Sequence, residues 1–174
     1  MPRCAGQRVF AVGFSFWKRS FVRQFLSGGT HVRFVGPRAF ETIKWKDGDT
    51  VAVWGRRYDA ALSQLPKSVS VWRMEDGFVR SHGLGSELQR PASLVFDQTG
   101  IYYDGGAPSD IEHFLANHDF TERQRARGAR MMAAIKDARV SKYNLAGSES
   151  LAGLREAANG KSILLVAGQV ESDA

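Results

Sequence analysis

Short apolar runs alternate with a segment of helical periodicity in the first part of the chain. Trp17, Phe21 and Phe25 are spaced four positions apart with basic residues between them, which predicts an amphipathic helix over 16–26. Glycine, proline and Asp-Gly positions separate the apolar runs, as turn residues do. The predicted strands are 9–14, 31–36, 51–55 and 69–74, with a short helix over 58–65. This alternation is typical of an α/β fold with a parallel sheet.

The middle of the chain has a different pattern. Two β-rich runs, 93–97 and 101–104, are joined by Gln98-Thr99-Gly100. This spacing is that of a tight hairpin. We therefore expect a small antiparallel insertion in the α/β fold.

The last third begins with two helix signals. Ser109-x-x-Glu112 and Thr121-x-x-Gln124 fit the capping box, and predict helices over 109–118 and 121–139, the second of them basic. Residues 162–168 form the most apolar run of the chain, which predicts a buried strand.

Composition places the 174 residues among ordinary single domains, with 43% hydrophobic residues. No apolar run approaches the roughly 20 residues that span a bilayer, and the first residues lack a signal-peptide pattern. The one cysteine, Cys4, leaves neither a disulfide framework nor a Cys-rich metal site. A cytoplasmic protein in a reducing compartment is the expectation.

The net charge of +6 suits a polyanionic partner of any kind. Nucleic acid, anionic lipid, nucleotide sugars and acidic glycans all fit. Ordinary solvated surface charge explains the excess equally well, so charge alone does not choose a function.

Two acidic clusters follow predicted strands: Glu75-Asp76, and Glu171-x-Asp173. Ligands of open α/β sheets bind at the carboxyl ends of strands, and two carboxylates are what a retaining glycosyl transfer by double displacement uses. Acidic residues at strand ends are also common turn formers and helix caps. From spacing alone the structural role is favoured.

Other features indicate structure more than chemistry. The Gly-x-Gly of 83–85 has Leu88 where a phosphate loop has its third glycine, so a tight turn is favoured. Tyr102 and Tyr103 are adjacent on a predicted strand and would face opposite ways, so we expect at least one to be packed. The four histidines lack a metal-ligand spacing, and the basic helix is better explained as a solvated face than as a phosphate track.

A set of motifs resembles the signature of the KpsC-type capsule polysaccharide proteins, in particular the second module of the usual two-module protein. The resemblance covers 51–174 firmly and the first fifty residues weakly. It rests on 71–81, 83–86, Arg90-Pro91, 93–95, 100–104, 108–110, 141–145 and 168–174.

That resemblance implies a retaining β-Kdo transferase of GT-B-like architecture, which uses CMP-Kdo to build an oligo-Kdo linker on a glycolipid. Residues 1–174 would be one Rossmann-like lobe, the acceptor-side half of a module, ending where the inter-lobe region starts. The lobe with most of the CMP-sugar site is absent after Ala174, so we expect a truncated reading frame that is inactive alone.

The resemblance also assigns roles to individual residues. Asp173 matches the proposed nucleophile of the family, and Glu75 matches the glutamate taken as acid/base. Asp76, Arg73 and Arg80 would bind substrate, because arginine offers a planar fork to a sugar carboxylate.

The expected partners are a nucleotide-sugar donor, an anionic glycolipid acceptor at the inner membrane surface and other capsule assembly proteins, but no nucleic acid. No metal or other cofactor is expected, since the sequence offers no Asp-x-Asp cation site, Asp47-Gly48-Asp49 being predicted as a turn, and protein donors can stabilise the leaving group. The location would be cytoplasmic, free or peripheral at the inner membrane. Two alternatives stay open: a non-catalytic export or scaffold protein that binds anionic glycolipid, and a nucleic-acid-binding domain with strongly salt-dependent affinity.

Overall fold

The computed structural model describes residues 8–26, 31–84, 87–145, 152–164 and 166. The strands β1 to β5 are Arg8–Val12, His31–Val35, Thr50–Trp54, Ser70–Asp76 and Leu94–Asp97. The helices α1 to α6 are Phe16–Leu26, Pro37–Phe40, Asp59–Leu62, Asp110–Asn117, Glu122–Asp137 and Ala152–Ala158.

The five strands form one mixed sheet in the order β2-β1-β3-β4-β5. The first four are parallel, and β5 is antiparallel to β4 at one edge. The chain passes through α1, α2 and α3 between successive parallel strands. The α/β prediction is confirmed, and four of its strands and the helix over 16–26 are present with ends shifted by at most two residues.

Apolar side chains cover both faces of the sheet. Alternate residues of β1 point to opposite sides: Val9 and Ala11 join the cluster that contains Phe21 of α1, while Phe10 and Val12 join the cluster on the other face. Phe21 is only 2% exposed, and its burial contributes about 2 kcal/mol. Burial on two sides is the reason the parallel strands are continuous apolar runs.

The predicted hairpin is wrong. Residues 101–104 form a turn, and β5 pairs with β4 instead, with Met74 opposite Phe96. The Asp97 carboxylate accepts hydrogen bonds from the backbone of Thr99 and Gly100, which turns the chain away after β5. Ile101 is then buried, at 1% exposure.

Both capping boxes are confirmed. The hydroxyl of each cap residue, Ser109 or Thr121, accepts a hydrogen bond from the backbone three residues on, and the Glu112 and Gln124 side chains accept from the cap backbone. Neither α4 nor α5 contains a buried residue among the side chains that the structure describes.

The buried strand predicted over 162–168 is wrong for its described part. Residues 162–164 and 166 have no regular structure, and Leu164 is 88% exposed. An apolar run becomes a buried strand only where a neighbouring strand pairs with it, and no described strand does so here. Residue 165 and residues 167–174 lie outside the described part of the chain.

Candidate functional site at the carboxyl end of β4

Glu75 lies near the carboxyl end of β4 and is half-buried. Its Oε1 accepts a hydrogen bond of 3.0 Å from the backbone N–H of Asp76. Burial raises the pKa of Glu75, and the nearby charge of Asp76 raises it further, while Lys18 acts in the opposite direction. A carboxyl whose pKa is raised takes up a proton more readily than an ordinary exposed carboxyl, as a general acid/base must.

Gly55, the first residue after β3, lets the backbone approach this carboxylate. Its φ is +58°, and a Cβ added there would lie 2.7 Å from the Tyr103 hydroxyl oxygen and 3.5 Å from Oε2 of Glu75. Burial, followed by the charge of Glu75, raises the pKa of Tyr103. Glu75 and the Tyr103 hydroxyl therefore approach each other across Gly55. The left-handed backbone and the crowding together explain the need for glycine.

Asp76 is paired with Arg80, whose Nε lies 2.6 Å from Oδ2. The Arg80 side chain is only 2% exposed, and its Nη1 also donates to Oγ of Ser81 at 2.8 Å and to the Gln89 carbonyl at 2.9 Å. Because its guanidinium is enclosed, Arg80 fixes Asp76 and offers no fork to solvent in this structure. The other oxygen of Asp76, Oδ1, is buried and accepts no hydrogen bond from the described residues.

Arg73 lies on the same strand but contacts the loop that follows β3 and the first residue of α3. Its Nη1 is 2.6 Å from Oδ1 of Asp59 and donates to the Gly55 carbonyl at 3.2 Å. The structure thus brings four of the predicted site residues, Arg73, Glu75, Asp76 and Arg80, to one end of β4. The fifth, Asp173, lies outside the described residues.

Two sequence motifs that are far apart in the chain meet beside this site. The backbone N–H groups of Arg80 and Ser81 donate to the Lys142 carbonyl at 2.8 and 3.3 Å. The Asn144 side chain donates to the Ser81 carbonyl at 2.9 Å, and the Gly83 N–H donates to the Tyr143 carbonyl at 2.7 Å. The segment around 142–144 therefore holds the loop that carries Arg80.

The structure describes Gly83 of the turn predicted at 83–85 and both members of the tyrosine pair, Tyr102 and Tyr103. Gly83 has a φ of +94°, which a tight turn with glycine accommodates; Gly85 is outside the described residues. Tyr102 packs on Phe78, with ring centroids 5.0 Å apart, whereas Tyr103 is 51% exposed. One tyrosine of the pair is packed, as expected, but the two are in a turn and not on a strand.

Lys18 is a residue of this site that sequence reasoning missed. Its Nζ lies 3.3 Å from the centroid of the Trp54 ring, a cation–π contact. Burial lowers the pKa of Lys18 to about 8, although the charges of Glu75 and Asp76 oppose the shift. The signal was available in the sequence, since a lysine in the first turn of a helix that follows β1 lies at the carboxyl edge of the sheet.

Two features are absent from the part of the chain that the structure describes. No group of three or more His, Cys, Asp or Glu side chains there could hold a metal ion. Nor does any described helix have the length and apolar character that crossing a membrane requires.

The fold and site define a class: an α/β lobe with parallel strands that presents acidic and basic side chains at their carboxyl ends, where such sheets bind ligands. The family model described as "Capsule polysaccharide biosynthesis protein" matches residues 49–171, which include the whole end of β4. The chain belongs to this family.

Curated relatives agree with that assignment. The capsule polysaccharide modification protein LipA of Neisseria meningitidis is 32% identical over 169 residues, which cover 95% of this chain and 23% of LipA. The lipopolysaccharide-processing protein LpsZ of Rhizobium meliloti is 40% identical over 114 residues, covering 63% of this chain and 25% of LpsZ. The chain spans about a quarter of the length of these relatives.

Two solved structures share the fold. The KpsC β-Kdo 2,4 transferase of Thermosulfurimonas dismutans matches with a TM-score of 0.65 and 27% identity, over 87% of this chain and 45% of that one. The β-Kdo 2,7 transferase of the same KpsC matches with a TM-score of 0.61 and 31% identity, over 75% and 43%. The resemblance to KpsC-type proteins that the sequence motifs predicted is confirmed, as is the likeness to part of such a transferase.

Proposed function

We propose that this chain is the acceptor-side part of a retaining glycosyltransferase that moves β-Kdo from CMP-Kdo to a glycolipid acceptor, building the oligo-Kdo linker of capsule polysaccharide. The observation that carries the proposal is the likeness to two KpsC β-Kdo transferases, together with a family match that includes Glu75. The donor is a substrate, and the reaction as proposed uses no metal or other cofactor.

The reaction would proceed by double displacement. A carboxylate oxygen of Asp173 attacks the anomeric carbon of Kdo, and CMP leaves with the electron pair of the broken bond. The acceptor hydroxyl then attacks the same carbon and gives its proton to Glu75, while the bond to Asp173 breaks and its carboxylate is regenerated. The burial that raises the pKa of Glu75 suits it to take up this proton.

Asp76 and Arg80 would support this step without touching the reacting atoms. The buried guanidinium fixes one oxygen of Asp76, and so holds the end of β4 next to Glu75. Arg73, held by Asp59 and the Gly55 carbonyl, would fix the loop after β3 beside Glu75. Both arginines are then positioning residues, which is a narrower role than the substrate contact that the resemblance implies.

The location and remaining partners are part of the same proposal. The chain would act at the cytoplasmic face of the inner membrane, with an anionic glycolipid and other capsule assembly proteins. One observation also supports the alternative of a non-catalytic protein that binds anionic glycolipid: α5 is rich in arginine, has no buried residue, and exposes Met131, Met132 and Ile135. Such a helix resembles those that lie on membrane surfaces.

The deciding experiment uses the module completed with a second lobe, CMP-Kdo generated in situ and a β-Kdo acceptor. We expect Asp173→Asn to abolish transfer, because an amide cannot form the glycosyl ester. Glu75→Gln should also abolish transfer, for lack of proton acceptance. Intact-protein mass spectrometry with donor alone should show a Kdo adduct that accumulates in Glu75→Gln and is absent in Asp173→Asn.

Glu171→Gln is the matched control and should retain both transfer and adduct. Full activity in Asp173→Asn, or an adduct on Glu171 or Asp76, would show that the nucleophile is another carboxylate. The 174-residue chain alone should show no turnover, and turnover by it would contradict the proposal of two cooperating lobes.

A further inference from the structure

A crevice of about 410 Å³ opens beside the candidate site, at the carboxyl ends of β1 and β3. These strands are neighbours, but the chain leaves β1 toward β2 and leaves β3 toward β4, in opposite directions across the sheet. The loops separate at that point, which is where open α/β sheets bind ligands. The lining comes from β1 and its turn, from the start of α1, and from the turns that follow β2 and β3.

The charge of this crevice has one sign. Lys18, Arg19 and Arg57 line it, and no carboxylate does. The guanidinium of Arg57 makes no hydrogen bond or ion pair with any described residue, whereas its neighbour Arg56 is paired with Asp104 at 3.0 Å. The crevice therefore holds cationic groups that form no direct ion pair with the described residues, although the charges of Glu75 and Asp76 lie close enough to act on Lys18.

Lys18 is partly desolvated in this crevice. Its ammonium is held 3.3 Å from the centre of the Trp54 ring, and it forms no ion pair with a described carboxylate. Burial favours the neutral amine, so the pKa of Lys18 lies near 8. An anion seated in the crevice would compensate the ammonium, and the desolvation already present would strengthen that contact.

The crevice adjoins the proposed acid/base. Trp54 forms one wall, and Gly55, the next residue, lies against Oε2 of Glu75. A ligand anchored in the crevice by an anionic group would extend toward this carboxylate. The proposed function assigns Glu75 to the acceptor hydroxyl, and an acidic sugar such as Kdo carries both a carboxylate and hydroxyls.

We propose that this crevice binds the carboxylate of an acidic acceptor sugar through Lys18 and Arg57, and so selects the acceptor and places its hydroxyl beside Glu75. The proposal rests on the proposed function for the identity of the sugar. It makes Lys18 and Arg57 specificity-determining residues for the acceptor, separate from the groups that would react.

The test is a binding titration of the isotopically labelled 174-residue chain, followed by NMR at the Trp54 indole N–H. The probes are the methyl β-glycoside of Kdo, the methyl ester of that glycoside, and CMP. We expect the glycoside to shift the Trp54 signal, the uncharged ester to bind at least about tenfold more weakly, and CMP to leave the crevice unoccupied. Lys18→Met and Arg57→Met should each weaken glycoside binding about tenfold. Arg56→Met, the same charge change one residue away, should have little effect.

Several outcomes would overturn the inference: equal binding of acid and ester, preferential binding of CMP, or unchanged binding in both crevice variants. A second measurement uses the module completed with a second lobe, in which Lys18→Met should raise KM for the acidic acceptor without changing KM for CMP-Kdo. A change confined to donor KM would overturn the inference. Carboxylate-dependent binding by the chain, together with no transfer by the module completed with a second lobe, would instead leave the crevice assigned and contradict the proposed enzyme.

Discussion

Two acidic regions of the molecule, after β5 and at the end of β4, have opposite surroundings. At the end of β5, Asp97 is 1% exposed and its oxygens accept hydrogen bonds from the backbone of Thr99, Gly100 and Asp110. Asp110 in turn accepts from the backbone of Gln98 and Thr99. Both carboxylates are occupied in holding the connection to α4.

At the end of β4 the carboxylates are less satisfied. Glu75 accepts one backbone hydrogen bond and has a raised pKa, and Oδ1 of Asp76 is buried without a donor among the described residues. The acceptor capacity that Glu75 keeps at the carboxyl edge of the sheet is what a ligand site needs. A structural carboxylate therefore differs from a reactive one mainly in the hydrogen bonds that it already makes, and less in its burial.

The largest effect on stability should come from Asp97 at the end of β5. Asp97→Ala removes the acceptor for three backbone N–H groups in a buried turn, and we expect a loss of about 4 kcal/mol in the free energy of unfolding. Urea denaturation measures this loss. Asp97→Asn is the matched control, and should lose roughly half as much because it keeps one acceptor oxygen. An Ala variant as stable as the parent would show that Asp97 does not hold this turn.

The second effect concerns the ion pair beneath the candidate site. Arg80→Met leaves Asp76 without its partner, and we expect a loss of about 3 kcal/mol in unfolding free energy. Thermal and urea unfolding would measure it. Arg125→Met makes the same change in an exposed ion pair on α5 and should alter stability little. Equal effects of the two substitutions would contradict the structural role given to Arg80.

The smallest effect is a change in stability with pH at Glu75. The pKa of Glu75 is raised in the folded state, so the folded chain binds more protons at this group than the unfolded chain does. The destabilising contribution of Glu75 therefore grows as pH rises from the pKa of the unfolded state through the pKa of the folded state. Glu75→Gln should therefore be slightly more stable than the parent at pH 7, and the difference should vanish below about pH 4. Melting temperatures across this range test the sign. A variant less stable at pH 7 would show that Glu75 is a structural carboxylate like Asp97.

Much of the fold could be predicted because its signals are local. The apolar runs around 9–12 and 51–54 are continuous because both faces of these strands are buried, and the capping boxes at Ser109 and Thr121 need only four consecutive residues. The hairpin failed for the opposite reason. Strand propensity at 101–104 could not reveal that β5 would pair with the edge of β4.

The candidate site could be predicted only in part. Motif resemblance indicated Glu75, Asp76, Arg73 and Arg80, and the structure brings all four to one strand end. The motif resemblance could not show that these four side chains have different environments. That Arg80 is enclosed at 2% exposure follows from contacts with Gln89 and with the segment around Lys142, which no short motif contains.

The sequence by itself determined the α/β class, the capped helices and the acidic residues at the end of β4, because periodicity, capping and motif spacing are properties of neighbouring residues. Only the tertiary structure decided which carboxylates are already satisfied, and that Lys18 and Arg57 share one crevice. The pairing of β1 with β3 joins residues about forty positions apart, such as Val9 and Thr50. A pKa or a charge cluster depends on distances through space that the chain alone does not specify.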